Sequence, residues 1–159
     1  MDALTHLCDL ATIAPQLYYR LILVIGRGGT GKTILLRQAA TTLGASVINL
    51  GVELSARLLE VDETRRPLAV AKLLRELTSD PVDAPSLLDN LELLFYPALR
   101  IEPLSLLQQI SRNRTLIVTW RGEVRNGALA YAQPGHPEYR RYPLTADMLL
   151  VDLNQESGM

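Results

Sequence analysis

The apolar residues of this chain fall into short unbroken runs, separated by longer stretches in which apolar positions recur every three or four residues. Short unbroken apolar runs are typical of strands that are buried on both faces of a parallel sheet. The strands predicted in this way are 21–25, 46–50, 86–89, 115–120 and 148–153.

The stretches between these runs have the spacing of amphipathic helices. The predicted helices cover residues 3–14, 32–43, 52–60, 67–78 and 103–111. Gly44 follows the second helix, where a left-handed C-terminal cap is expected. The alternation of strands and helices predicts a three-layer α/β fold with a mainly parallel, five-stranded sheet. We expect one domain over 1–159, with a flanking helix in 1–18 and the core in 19–153.

Residues 121–145 are rich in glycine and proline, which predicts a long loop between the fourth and fifth strands. Loops of this length are usually functional or disordered. Tyr131, Tyr139 and Tyr142 lie within it and favour an ordered loop.

A glycine-rich segment lies between the first strand and the second helix. Its residues are Gly26, Arg27, Gly28, Gly29, Thr30, Gly31, Lys32 and Thr33. They match G-x-x-x-x-G-K-[ST], the P-loop that holds the phosphates of a nucleoside triphosphate. We expect the four glycines to permit positive φ and a close approach of the backbone. The N–H groups of the loop and of the helix start, including Ile34, would then point at phosphate oxygens.

The P-loop pattern also indicates roles for two of its side chains. Lys32 is expected to reach the β- and γ-phosphates, and the Thr33 hydroxyl is expected to bind Mg²⁺. ATP and Mg²⁺ are therefore the expected ligands. A glycine-rich turn with an incidental Lys-Thr pair is the alternative interpretation.

The third predicted strand ends in a carboxylate, Asp89. In P-loop enzymes an aspartate at this place holds Mg²⁺ opposite the P-loop hydroxyl. Many other strands end in an aspartate that caps a turn. Asn90 stands where hydrolytic P-loop ATPases usually carry a glutamate. Glu92 could orient the attacking water if the strand continues that far, but not if a helix begins at residue 90, and it could also be a surface or capping carboxylate.

Two further groups are candidates for catalysis. Thr119, at the end of the fourth predicted strand, lies where a polar residue senses the γ-phosphate in related ATPases, although threonine is common in any strand. Arg140 and Arg141, just before the last strand, are candidates for an arginine finger that completes the site of a neighbouring subunit.

The charges are unevenly distributed, although the formal net charge is only -1. Arginines outnumber acidic residues from Arg100 to Arg141, whereas acidic residues outnumber basic ones over 51–99. The guanidinium fork suits phosphates and carboxylates, so this half is expected to face a nucleotide or an acidic neighbour. A solvated basic face is the alternative. Contact with DNA is a weaker hypothesis that rests on the same arginines.

The remaining composition excludes several classes of protein. The single cysteine, Cys8, cannot form an internal disulfide, and no signal segment or apolar run of membrane-spanning length is recognisable. A cytoplasmic location without a membrane partner is therefore expected. His6 and His136 lack the paired spacing of a metal cluster.

Four segments together resemble the BrxF family, small P-loop proteins of type-3 bacteriophage-exclusion (BREX) defence systems. They are GRGGTGKT, LLDNLELLF, SRNRTLIVTW and YAQPGHPEYRRY, within roughly 19–152. The resemblance implies an AAA+-like ATPase with strand order 5-1-4-3-2 that works with other phage-defence proteins. By position it implies that Lys32, Thr33 and Asp89 bind nucleotide and magnesium, and that Arg140 or Arg141 is the finger. The chain departs from the broader AAA+ pattern at Asn90, and we expect the residues from 154 onward to form no helical lid.

Three functions remain open at this point. The first is a minimal ATPase that binds Mg-ATP between subunits of a homo-oligomer, with an arginine supplied by a neighbour. The candidate arginines are Arg112, Arg114, Arg140 and Arg141. The second is a nucleotide-dependent switch that does not hydrolyse ATP. The third is a small-molecule or nucleotide kinase in which residues 121–141 form a lid.

Overall fold

A computed structural model of the chain describes residues 2–79 and 84–154. The strands are β1 (Leu21–Gly26), β2 (Val47–Asn49), β3 (Ser86–Asp89), β4 (Leu116–Arg125), β5 (Ala128–Tyr131), β6 (Arg140–Pro143) and β7 (Leu149–Asp152). The α-helices are α1 (Ala3–Ile13), α2 (Lys32–Leu43), α3 (Leu50–Leu58), α4 (Arg66–Leu77) and α5 (Pro103–Ile110). Short 3-10 helices cover Ala14–Gln16, Glu63–Arg65, Glu92–Phe95 and Pro97–Leu99.

Strand β1 separates two apolar clusters that together form the core. Leu21, Leu23 and Ile25 pack with residues of α3, α4 and α5. Ile22 and Val24 pack on the opposite face with residues of α1 and α2. Successive side chains of a strand point to opposite faces, so an unbroken apolar run is required where both faces are covered. The predicted three-layer α/β arrangement is confirmed.

The parallel part of the sheet follows the path β2-β3-β4-β1-β7. The five predicted strands make up this path, and the predicted order 5-1-4-3-2 agrees with it when the last strand is β7. The agreement is partial, since β5 and β6 were not expected and the complete sheet has seven strands.

The prediction of a long loop over 121–145 is wrong. Strand β4 continues to Arg125, and the chain returns as β5 and then β6 in antiparallel pairing. Asn126 and Gly127 make the turn between β4 and β5 with φ of 52° and 73°, and an Asn-Gly pair is a strong hairpin signal. The strand requires glycine at position 122, because a Cβ there would overlap the carbonyl oxygen of Ala130.

Helix boundaries differ from the prediction by at most two residues, and those of α2 agree with it. Helix α3 begins at Leu50 because the Asn49 side chain accepts a hydrogen bond from the Val52 N–H and caps it. Strand β2 therefore ends at Asn49, before the predicted residue 50. Gly44 caps α2 with a φ of 66°, as predicted.

Among the residues described, no helix combines the length and the apolar character that crossing a membrane would need. The segment from 155 to 159, on which the expected lack of a helical lid depends, lies outside the described residues.

Candidate functional site

The glycine-rich loop connects β1 to α2 at the carboxyl edge of the parallel strands. Gly29 and Gly31 have φ of 80° and 91°, a left-handed region that favours glycine. Gly31 is also the N-cap of α2, and no side chain caps this helix. The N–H groups of its first turn are therefore not covered by a capping side chain. Ile34 lies in this turn with 62% of the residue exposed, so its predicted role depends on its backbone N–H.

Gly26 and Gly28 differ from the prediction that all four glycines permit a positive φ. Neither has a φ in the left-handed region. Gly26 is instead required by space, because a Cβ there would overlap Thr30 Oγ1. A Cβ on Gly28 would meet nothing within 4 Å. Only the two glycines that turn the chain into α2 need positive φ.

The other side chains of the loop are held in place by neighbouring groups. Thr30 Oγ1 donates to the Arg27 carbonyl oxygen at 2.8 Å, and Lys32 Nζ donates to the same oxygen at 3.0 Å. The Arg27 N–H donates to Asn154 Oδ1 at 3.0 Å, and its guanidinium pairs with the Glu123 carboxylate. Thr30 thus uses its hydroxyl within the loop, while Lys32 points back along it.

Asp89 lies at the end of β3, between Thr33 of α2 and Thr119 of β4. Thr33 Oγ1 donates to Asp89 Oδ2 at 2.8 Å, and Thr119 Oγ1 donates to Asp89 Oδ1 at 2.6 Å. These contacts form because β3 pairs with β4, β4 pairs with β1, and parallel strands present their carboxyl ends at one edge. The Asp89 side chain is nearly buried, with 7% of the residue exposed. Thr33 and Thr119, which were both predicted as site residues, are therefore in direct contact with Asp89.

The segment after Asp89 follows neither of the two predicted alternatives. The strand ends at Asp89, Asn90 adopts a left-handed φ of 61°, and a 3-10 helix begins at Glu92. The Asn90 N–H donates to Asp89 Oδ1 at 3.1 Å. This turn still directs Glu92 to the cavity that Lys32 lines. An extended strand is thus not needed to bring Glu92 to the site.

A cavity of about 230 Å³ is formed by part of the predicted site. It is lined by Gly28, Lys32, Thr33, Asp89, Glu92 and Thr119, among others. Burial lowers the pKa of the Lys32 amine, and the negative charge of Glu92 opposes that shift. The arrangement places one ammonium, two carboxylates and two hydroxyls around a single cleft beside a helix N-terminus. Such a set of groups can bind phosphates and a hard cation.

Two residues of this cleft, Arg121 and Tyr131, were missed as site residues. Both lie in the segment predicted as a loop, whereas they belong to β4 and β5. They also line a second cavity of about 230 Å³ that adjoins the first and includes Glu123 and His136. Burial raises the pKa of Tyr131, which keeps its hydroxyl neutral. Polar Thr119, apolar Trp120 and polar Arg121 alternate as the residues of a strand do. This alternation is a sequence signal that β4 continues past Trp120.

The predicted finger arginines lie apart from the cleft of their own chain. Arg140 and Arg141 are on β6, and neither lines either cavity. Arg112 lies over the Tyr18 ring at 4.5 Å. Arg114 donates to the carbonyls of Ser79 and Ala84 at 2.8 and 2.9 Å. It lies just before the start of β4, at the edge of the sheet opposite the cleft. Any of these four arginines that acts at a cleft would have to serve a neighbouring subunit.

Asp89 and Glu92 supply the carboxylates of the cleft. Within the described part of the chain, no group of three or more His, Cys, Asp or Glu residues could hold a metal ion. A transition-metal centre of such ligands is therefore not found there. Mg²⁺ commonly uses one or two carboxylates together with substrate phosphates, and the Thr33 and Asp89 oxygens fit that requirement. His136 makes a local hydrogen bond, since its Nδ1 accepts from the Glu138 N–H at 3.1 Å.

No protein-family model matches the chain, and no curated protein matches it. Among solved structures, the chain is similar to the structure of C. elegans PCH-2, with 22% identity and a TM-score of 0.46. The match covers 74% of this chain and 36% of that chain, so this chain spans about a third of its length.

Proposed function

We propose that this chain binds Mg-ATP in the cleft between the P-loop and β3 and hydrolyses it as a small AAA+-like ATPase. The observation that carries the proposal is the Asp89 carboxylate, which accepts hydrogen bonds from the hydroxyls of Thr33 and Thr119 in the cavity lined by Lys32. Three segments that are distant in the sequence supply these groups. A solvated surface turn would not require such an arrangement.

The P-loop provides the binding energy for the phosphates. The first turn of α2, which no side chain caps, offers N–H groups and the positive end of the helix dipole. Lys32 would exchange its hydrogen bond with the Arg27 carbonyl for a charge-assisted contact with phosphate oxygens. Its lowered pKa, caused first by burial, would rise again beside the negative phosphates.

Thr33 and Asp89 are the residues that would hold Mg²⁺, Thr33 through its hydroxyl and Asp89 through its carboxylate. When bound, the ion would neutralise charge on the phosphate oxygens. Asp89 also fixes the direction of the Thr33 hydroxyl at 2.8 Å. Thr119 would sense the γ-phosphate, and its hydrogen bond to Asp89 would link that contact to the metal side of the cleft.

Glu92 is the proposed base that orients the attacking water. Glu92 lines the cavity together with Lys32, Thr33 and Asp89. Asn90 has no carboxylate to take this role and is committed to the left-handed turn after β3. A positioned carboxylate typically contributes about a hundredfold or more to such a proton transfer.

We further propose that nucleotide state controls association of this chain with copies of itself or with other proteins of a bacterial phage-defence (BREX) system, in the cytoplasm. The sequence resemblance supports the defence context. Arg141 is exposed on β6, which pairs with β5 alone in the described sheet, and so is available to a neighbour's cleft. Arg141→Ala should then remove any rise of specific activity with protein concentration. Contact with DNA is a weaker proposal, tested by duplex binding that falls steeply with salt.

A nucleotide switch that does not hydrolyse ATP is the second candidate, favoured by Asn90 at the position usually held by glutamate. A kinase is disfavoured, because residues 121–141, which would form its lid, are largely strands of the sheet. Phosphate release from Mg-ATP separates these functions. Turnover that chelation of magnesium abolishes supports the ATPase. Binding without turnover supports the switch, and turnover only with an added acceptor supports the kinase.

A further inference from the structure

Arg121 lies beside the P-loop of its own chain. In the parallel pairing of β1 with β4, Arg121 is the partner of Gly26, the first residue of the loop. Thr119 and Arg121 are two residues apart on β4, so their side chains leave the strand on the same face. Thr119 contacts Asp89, and that face is therefore directed toward the cleft.

The guanidinium of Arg121 is distinguished from those of its neighbours by its lack of a carboxylate partner. Arg27 pairs with Glu123, and the Arg125 guanidinium lies 3.9 Å from the same carboxylate. Within residues 2–79 and 84–154, no ion pair or hydrogen bond of the Arg121 side chain is found. It lines the cavity next to Lys32, and its positive charge adds to the lowering of the Lys32 pKa by burial. Two cations that converge on one cleft favour an anion there.

The position of Arg121 also differs from that of the finger arginines expected from sequence. Arg140 and Arg141 lie on β6 and line neither cavity. Arg121 lines both, at the point where they adjoin. It is therefore able to reach a ligand in its own cleft without the help of a second subunit.

We propose that Arg121 contacts the γ-phosphate in cis and makes the cleft selective for nucleoside triphosphate over diphosphate. The inference rests on the proposed function and names the residue that reads the terminal phosphate. The five-donor guanidinium suits the oxygens of a terminal phosphate, while Lys32 spans the β- and γ-phosphates. A diphosphate lacks the group that Arg121 would meet.

Equilibrium binding tests the proposal without relying on turnover. Titration calorimetry would compare a non-hydrolysable ATP analogue with ADP, both with Mg²⁺, on wild-type protein, Arg121→Ala and Arg121→Lys. Arg125→Ala is the matched control, since Arg125 is an exposed arginine of the same strand that lines neither cavity. We expect Arg121→Ala to weaken the triphosphate analogue by about tenfold or more while ADP is unaffected, because a lost charge-assisted contact has that effect. Arg121→Lys should restore part of the loss.

A mixing experiment then separates action in cis from action in trans. Arg121→Ala protein mixed with Lys32→Ala protein receives intact Arg121 only from the neighbour, so turnover should stay low. Restored turnover, or equal losses for both nucleotides, would overturn the proposal. An unchanged affinity of Arg121→Ala for the triphosphate analogue would do the same. Wild-type protein that binds neither nucleotide would instead overturn the proposed function, and the inference with it.

Discussion

The hydroxyl of Thr33 donates a hydrogen bond of 2.8 Å to Oδ2 of Asp89. The two residues belong to α2 and β3 and lie 56 positions apart in the chain. Their contact connects the P-loop with the carboxylate at the end of a neighbouring strand. It orients both groups that we propose to hold Mg²⁺, and it depends on the order of strands in the sheet.

Asp89→Asn should make nucleotide binding largely independent of magnesium. The substitution keeps the size of the side chain but removes its negative charge, which is what a hard divalent cation requires. The measurement is the affinity for ATP with and without Mg²⁺. Wild-type affinity should rise on addition of the ion, and that of the variant should change little. A magnesium response equal to that of the wild type would contradict the assignment of Asp89.

Thr119→Val should destabilise the fold as well as the site. Valine has nearly the same shape but cannot donate to Asp89 Oδ1, which would lose the bond of 2.6 Å. We expect the free energy of unfolding to fall by about 1–2 kcal/mol, the cost of a buried acceptor that loses one donor. Urea unfolding measures it. Thr119→Ser is the control, since it keeps the hydroxyl, and equal losses in both variants would show that the hydrogen bond is not the cause.

Glu92→Gln should reduce kcat by about a hundredfold with little change in KM, because an amide cannot accept a proton from water. Steady-state phosphate release measures both constants. Glu76→Gln, on the exposed surface of α4, serves as the matched control. A kcat equal to that of the wild type would assign Glu92 to the surface or capping role that the sequence left open.

Gly122→Ala tests the strand that replaces the expected loop. A Cβ at this position would overlap the Ala130 carbonyl oxygen across the β4–β5 pair. We expect a loss of about 2 kcal/mol in the free energy of unfolding, as for other overpacked sites. Gly28→Ala is the comparison for stability alone, since the space around Gly28 is open. A stable Gly122→Ala protein would be inconsistent with the hairpin.

The sequence was sufficient where the determining forces are local. The apolar run of β1, the glycines of the loop and the periodicity of α2 are adjacent in the chain, so their patterns predict the P-loop region directly. The place of Asp89 beside the P-loop could also be predicted, because P-loop proteins carry an aspartate at the end of a neighbouring buried strand.

The prediction failed over 121–145, where the composition resembles that of a loop although Asn126 and Gly127 carry a hairpin signal. Beyond Trp120 the apolar run stops, and Arg121, Gly122 and Glu123 have the composition of a loop. The segment forms a strand because β5 supplies its hydrogen bonds and because Gly122 allows Ala130 to approach closely. Missing this pairing also concealed Arg121, which only the continued strand brings to the cleft. The left-handed turn at Asn90, which redirects Glu92, was likewise not visible in the spacing.

Equilibrium binding of Mg-ATP to wild-type protein and to Lys32→Ala tests the central claim most directly, with Lys72→Ala, an exposed lysine of α4, as the control. Wild type and Lys72→Ala should bind with equal affinity. Lys32→Ala should bind about tenfold to a hundredfold more weakly, the effect of removing a charged donor from phosphate. Equal binding by all three proteins, or binding by none, would contradict a nucleotide site at the P-loop.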